Sequence, residues 1–333
     1  MKKILLSFTI TPLVYLVISS LLVLVPVNRN YPAESLDFNV LSFTDTSDVT
    51  VEKLNFTARD GNELFYRRIQ GDTDIVVVLL HGSGTEGRYL VSLAEKLYSS
   101  LNITVVIPDL RGHGESALSN MGDISYLDQF SHDLEDLNGY LRLHHPNAKI
   151  ILGGHSSGGG LAVKYGGNGL TKFDGYILLA PYLGYQAPTV RPNSGGWVQV
   201  STRRYIGLSM LNNVGISGLN GFPVLFFNRP AGKAYSMQAD SYSYRLNESF
   251  SPQSYTDDLQ ANKKPMLALI GKDDEAFYSD KFEAVFRENA PHTELIIIPD
   301  TKHLDLPSGQ VTANFIAGWL EKSYNKALQR TSR

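Results

Sequence analysis

The chain has 333 residues, enough for one large domain or one domain with an insertion, and 43% hydrophobic with 19% charged residues is neither a disordered nor a multispanning composition. A formal net charge of −3, with basic residues clustered no further than pairs such as Arg203-Arg204, argues against a nucleic acid partner. The absence of cysteine excludes disulfides, thiolate metal sites and a cysteine nucleophile, and the eight histidines show no metal-ligand spacing, so neither a metal nor a cofactor is expected.

Met1-Lys2-Lys3 is followed by an uncharged run from Ile4 to Val25. As a helix, about 22 residues span roughly 33 Å, the thickness of a bilayer core, and Pro12 is tolerable in such a helix. A cleaved signal peptide would have a shorter apolar region ending in a small-x-small site, whereas this run ends Leu24-Val25-Pro26. The expectation is a single-pass membrane anchor over residues 1–28, in the membrane through residues 4–25, with the catalytic part on the extracytoplasmic side. Secretion after signal cleavage is the alternative. Residues 29–50 are polar, lack a helical period and read as a tether.

From residue 51 strands and helices alternate. Val51 to Arg59 and Glu63 to Ile69 flank Asp60-Gly61-Asn62 and read as a hairpin. Ile75 to Leu80 is wholly apolar, as a strand buried on both faces must be, and runs into His81-Gly82-Ser83-Gly84. Arg88 to Leu101 has helical spacing, Ile103 to Ile107 is a short strand, and Pro108 to Ser116 is a loop. Tyr126 to Leu143 reads as a helix, Lys149 to Gly153 as a strand and Phe173 to Ala180 as the next. This alternation predicts a mostly parallel, doubly wound sheet.

Gly154-His155-Ser156-Ser157-Gly158 fits G-x-S-x-G between a strand and a helix. Such a turn holds its serine in a strained backbone conformation, and the flanking glycines let strand and helix approach. Ser156 would then present its hydroxyl at a helix N-terminus, where the Ser157 amide can face a developing oxyanion.

Taken with the order and spacing of Leu80-His81-Gly82-Ser83-Gly84 and Asp109-Leu110-Arg111-Gly112-His113-Gly114-Glu115-Ser116, this motif makes the chain resemble an α/β-hydrolase. Within that superfamily it is similar to the monoacylglycerol lipase and lysophospholipase group, which includes the serine aminopeptidase-like hydrolases. The resemblance covers residues 51–180 and 263–325. It implies an α/β-hydrolase core, a serine–acid–histidine order along the chain and hydrolase chemistry, and does not fix a substrate. The family pattern of strand, glycine and acid three residues on selects Asp274 after Pro265 to Gly271; Asp273 is the register alternative and Glu275 stands in the same loop. His303, after the strand Glu294 to Ile298, stands where the family places its base. Ser156, Asp274 and His303 are therefore the expected catalytic residues, with the amides of Ser83 and Ser157 as the oxyanion hole. His81, Asp109, Arg111 and His113 read as groups that position the loops.

Residues 181–262 are far longer than an ordinary connection and are expected to form an inserted lid subdomain. They carry Tyr182, Tyr185, Trp197, Tyr205, Phe222, Phe226, Phe227, Tyr235, Tyr242 and Tyr244, which suit either an apolar acyl pocket or a small core of the lid itself. No clean amphipathic period runs between Gly195 and Gly232. The expected function is a serine hydrolase cleaving esters of small or lipid-derived acyl groups through an acyl-enzyme on Ser156. The alternatives are a peptidase or amidase of the same fold, or a non-catalytic membrane-tethered binding protein. Oligomeric state is left open.

Overall fold

The run Ile75–Leu80 contains no polar residue, and in the computed structural model every one of its side chains is buried, with helices covering both faces of the sheet around it. The structure describes residues 2–30, 36–41, 49–117, 120–169, 173–228 and 238–329. In chain order its elements are α1 (Lys2–Leu24), β1 (Glu52–Thr57), β2 (Glu63–Ile69), β3 (Ile75–Leu80), α2 (Val91–Leu101), β4 (Thr104–Pro108), α3 (Gln129–His144), β5 (Lys149–His155), α4 (Ser157–Gly167) and β6 (Gly175–Leu179). There follow α5 (Asn193–Gly196), β7 (Val198–Val200), α6 (Thr202–Asn213), β8 (Pro223–Phe227), β9 (Ser241–Ser243), α7 (Tyr244–Phe250) and α8 (Tyr255–Ala261). The chain then returns through β10 (Met266–Gly271), α9 (Phe282–Asn289), β11 (Thr293–Ile298) and α10 (Gln310–Leu328).

Eight strands form one sheet in the order β1-β2-β4-β3-β5-β6-β10-β11. β1 pairs antiparallel with β2 and β2 with β4, while β4, β3, β5, β6, β10 and β11 run parallel. This is the mostly parallel sheet expected. Its consequence for function is geometric: the carboxyl ends of β3, β5, β10 and β11 open on the same edge, and each feeds a loop that carries a candidate site residue.

Helix boundaries moved where side chains or turns compete. The helix expected from Arg88 begins as a 3-10 turn over Gly87–Leu90, whose Arg88 amide is capped by the Glu86 carboxylate, before α2 takes over. α9 starts only at Phe282, after a stretch in which the carboxylate of Asp274 takes the amides of Ala276 and Phe277 and holds them in a turn.

Between β6 and β10 the chain builds a separate three-stranded antiparallel sheet, β7-β8-β9, with α5 to α8 around it. Its aromatics divide between two environments. Tyr182, Trp197 and Tyr242 face the cleft described below, whereas Tyr205, Phe222 and Tyr244 pack in a second apolar cluster with Val23, Leu208, Leu211 and Val224. Phe227 stacks behind Trp197 with ring centroids 5.0 Å apart, and Tyr185 is 73% exposed. Tyr235 lies outside the described residues. α6 shows no clean amphipathic period because it is contacted from two sides, by β8 and by α1, and polar Arg203, Arg204 and Asn212 interrupt the pattern.

The N-terminal expectation needs correction. Among the described residues no helix is long and apolar enough to cross a membrane, which overturns the reading of residues 4–25 as a single-pass anchor and, with it, the extracytoplasmic placement. The structure instead shows α1 docked on α6. Gly207 of α6 has no side chain, and a Cβ there would stand 2.6 Å from the Ser19 carbonyl oxygen and 2.9 Å from Leu22, so this glycine is what lets the helices touch. Val23 and Ser19 are fully buried, and Tyr15 donates to the Met210 carbonyl at 2.9 Å. Arg204 donates to the Val23 carbonyl at 3.0 Å and so satisfies a C-terminal carbonyl of α1. The stretch read as a tether also has structure: Phe38–Val40 forms a 3-10 turn, Leu36 and Leu41 are buried, and Phe38 meets Trp197 at 4.4 Å. Residues 31–35 and 42–48 of that stretch lie outside the described residues.

Candidate active site

β5 ends at His155 and α4 begins at Ser157, leaving Ser156 alone to turn the chain. It does so at φ 55°, ψ −118°, in a region that side chains rarely occupy. The strain is held by three main-chain hydrogen bonds: the Ser156 amide donates to the Leu179 carbonyl, and the Ser156 carbonyl accepts from Gly160 and Tyr182. The two motif glycines are required by contact. A Cβ on Gly154 would lie 2.3 Å from the Gly158 carbonyl carbon, and one on Gly158 would lie 2.5 Å from the carbonyl oxygens of Leu80 and His81.

At the end of β10, Asp274 is 2% exposed. Its Oδ1 accepts from the amides of Ala276 and Phe277 at 2.8 Å each, and its Oδ2 faces His303 Nδ1 at 2.7 Å. Asp273 points away and is exposed, while Glu275 accepts from the backbone amide of His303 at 3.0 Å. Gly271 sets this arrangement, because the loop before His303 crosses it: a Cβ there would lie 2.3 Å from the Thr301 carbonyl oxygen. Phe277 packs edge-on against the His303 ring at 5.0 Å.

Ser156, His303, Ser83 and Ser157 all line one open cleft of about 770 Å³, adjoining solvent included. Its walls come from Tyr182, Trp197, Leu225 and Phe250 of the segment between β6 and β10, and from Leu36 and Phe38 ahead of β1. Among the described residues that line it there is no Asp, Glu, Lys or Arg. The structure therefore brings Ser156, Asp274 and His303 to one place, with Asp274 behind His303 and out of the cleft. The amides of Ser83 and Ser157 find no acceptor among the described residues.

The other residues singled out by sequence are buried around this cleft. Asp109 pairs with Arg67 at 2.6 Å and accepts from the amides of Gly87 and Glu115, fixing the loop after β4. Arg111 pairs with Asp133 at 2.7 Å. His81 donates from Nδ1 to the Gly82 carbonyl at 2.8 Å and accepts at Nε2 from the Leu110 amide at 3.1 Å. Burial pushes His81 down to about 4 and His113 down to about 3, and it holds His155 well below 6.5, so all three rings are neutral at pH 7. Sequence reasoning missed Tyr89 and Tyr242 as members of this shell. The Tyr89 hydroxyl accepts from the Gly82 amide at 2.7 Å and the Tyr242 hydroxyl from the Gly84 amide at 2.6 Å.

Residues 71–226 match the family described as Serine aminopeptidase, S33. A monoglyceride lipase of Rattus norvegicus is 28% identical over 156 residues, covering 46% of this chain and 49% of that protein. A probable protein phosphatase methylesterase 1 of Caenorhabditis elegans is 31% identical over 103 residues, covering 30% of this chain and 27% of that protein. The chain thus spans less than half the length of these curated relatives. Among solved structures, a monoacylglycerol lipase of Paleococcus ferrophilus superposes with a TM-score of 0.58 at 18% identity, covering 78% of this chain and 99% of that one. By these matches and by its sheet the chain has the α/β-hydrolase fold, and within that fold it resembles the monoacylglycerol lipase and serine aminopeptidase group.

Proposed function

We propose that the protein is a serine carboxylester hydrolase that takes neutral, lipid-derived acyl esters and works through an acyl-enzyme on Ser156. The observation that carries this reading is the buried His303–Asp274 pair, 2.7 Å apart, with His303 opening on the same cleft as Ser156. Asp274 accepts the Nδ1 proton, which leaves the lone pair of His303 on Nε2. Nε2 takes the proton of Ser156 as Oγ attacks the acyl carbonyl, and the amides of Ser83 and Ser157 stabilise the tetrahedral oxyanion. Collapse expels the alkoxide, which leaves with the proton from His303. Water then adds to the acyl-enzyme with Nε2 again as base, releasing the acid and restoring Ser156.

Two features support an apolar, uncharged substrate. The described lining carries no Asp, Glu, Lys or Arg, so a substrate ammonium or carboxylate would lose its hydration with no opposite charge to replace it. The apolar walls favour an acyl chain, at about 0.8 kcal/mol per buried methylene. We take the segment 181–262 to act as the lid over this cleft, with core limits of 51–180 and 263–325. The family name favours a second reading, cleavage of an N-terminal aminoacyl group. That reaction calls for a carboxylate in the cleft to hold the α-ammonium, and the described lining offers none.

Fluorophosphonate labelling of the wild type and of Ser156→Ala, followed by p-nitrophenyl esters of two to twelve carbons and a panel of aminoacyl anilides, tests both readings. The expected result is labelling and ester turnover in the wild type only, with kcat/KM rising with chain length and no anilide cleavage. Undiminished labelling of the variant would remove Ser156 from the mechanism, and anilides outrunning esters would favour the second reading.

A further inference from the structure

We propose that Tyr89 and Tyr242 are positioning residues that aim the Ser83 amide at the oxyanion; the proposal rests on the hydrolase reading above. The loop Gly82-Ser83-Gly84 has a donor on either side of Ser83, and each donor is committed to a phenol. The Gly82 amide donates to Tyr89 Oη at 2.7 Å and the Gly84 amide to Tyr242 Oη at 2.6 Å. The Gly82 carbonyl is also tied, accepting from His81 Nδ1 and from Thr85 Oγ1 at 2.9 Å. Of these three amides only that of Ser83 has no acceptor among the described residues, and Ser83 lines the cleft.

The polarity of both arms is forced by what stands behind the phenols. Tyr89 Oη lies 3.0 Å from His155 Nδ1, and His155 Nε2 lies 3.1 Å from the His303 carbonyl oxygen. A carbonyl can only accept, so the neutral His155 carries its proton on Nε2 and must accept at Nδ1. Tyr89 therefore donates to His155, and its remaining lone pairs are what the Gly82 amide meets. The second arm repeats the logic. His113 Nδ1 donates to the Arg111 carbonyl at 3.0 Å, so Nε2 accepts from Tyr242 Oη at 2.6 Å, and that oxygen receives the Gly84 amide. Both phenols are wholly buried, which raises their pKa and keeps the donated protons in place.

Each arm reaches a different part of the site. Tyr89 belongs to the core and links the oxyanion loop to the residue before Ser156 and to the backbone of His303. Tyr242 belongs to β9, in the segment between β6 and β10, and carries the orientation of Gly84 into that segment. Removing either hydroxyl leaves a glycine amide and a histidine nitrogen unpaired in a buried place, and the loop can regain a partner only by turning.

Tyr89→Phe, Tyr242→Phe and the double variant are compared with the wild type in the full chain. The measurements are kcat and KM on a p-nitrophenyl ester, Ki for a trifluoromethyl ketone whose adduct with Ser156 carries the oxyanion, and Ki for the matching ether, which binds without reacting. The expected result is a kcat lower by on the order of 10-fold for each phenol, and in the double variant towards the roughly 10²–10³ typical of losing a donor outright. The ketone should weaken in proportion to kcat, while KM and ether binding stay as in the wild type. A merely structural role would move ether and ketone together. Where a phenylalanine variant does not fold, 3,5-difluorotyrosine at the same position keeps the shape, weakens the oxygen as an acceptor, and should lower kcat in the same selective way. Folded variants with wild-type kcat, or with ether and ketone weakened equally, overturn the proposal. A wild type that takes no fluorophosphonate and cleaves no ester overturns the hydrolase reading instead.

Discussion

Asp274 is held so that replacing one atom reverses the tautomer of the histidine it faces. Its Oδ1 receives two backbone amides, and only an oxygen can stay there. In Asp274→Asn the amide nitrogen must therefore face His303 Nδ1, which forces Nδ1 to accept and moves the ring proton to Nε2, the nitrogen that takes the serine proton in the proposed mechanism. Turnover should fall about 10⁴-fold, the loss found when this change is made in a serine protease. Asp273 is exposed and contributes only its backbone amide, to the Thr301 carbonyl, so Asp273→Asn should stay within about twofold, as surface substitutions usually do. Ester kinetics of both variants, with circular dichroism as the check on folding, decide between them; a crippled Asp273→Asn would move the acid by one residue. That Ser156, Asp274 and His303 would come together was legible in sequence because each follows an apolar run that ends at a sheet edge, and the resemblance to the family pattern after Gly271 selected Asp274. Tyr89 was not, and Tyr242 was legible only as one aromatic of the insertion, because the partner of a tyrosine hydroxyl shows only once the fold has brought the two together.

The junction between β5 and α4 depends on contacts that no element makes alone. Gly158 sits where α4 meets the end of β3, and the atoms a Cβ would strike are main-chain carbonyl oxygens that cannot turn aside. Gly158→Ala should cost at least about 1–3 kcal/mol, as overpacking does, and should lower activity with it. Gly139 in α3 has no atom within 4 Å of its would-be Cβ, so Gly139→Ala should raise stability by up to about 1 kcal/mol through helix propensity, with activity unchanged. Urea midpoints of the two variants beside the wild type test the contrast, and equal shifts would mean that crowding at Gly158 is relieved cheaply. The parallel strands were readable from their continuous apolar runs. The elements between β6 and β10 were harder, since β7 and β9 are three-residue strands and α6 takes part of its covering from α1, so neither period stands out.

Acid affects the whole fold through groups that pull in opposite directions. The buried neutral histidines bind protons more readily unfolded, so below about 6.5 they cost stability progressively, down to about 4 for His81 and about 3 for His113. Asp258 works the other way. Burial against α4 raises it to about 7, so the native state keeps a proton that the unfolded chain loses near 3.8; its contribution is complete below that value and is lost as pH rises through 7. Asp258→Asn should therefore gain on the wild type between pH 5 and pH 8, read as the gap between their urea midpoints, and a gap that stays constant would show that Asp258 titrates normally. A different constraint follows from the docking of α1. Tyr15 and its partner Met210 are 195 residues apart, and the cluster around Val23 and Leu208 has no wall on that side until α6 exists. During synthesis α1 leaves the ribosome ahead of α6, and the face that α6 covers has nothing to pack against until α6 has followed. At about 5–20 residues per second that is a wait on the order of ten seconds or more, during which the most apolar segment of the protein depends on whatever else in the cell will cover it.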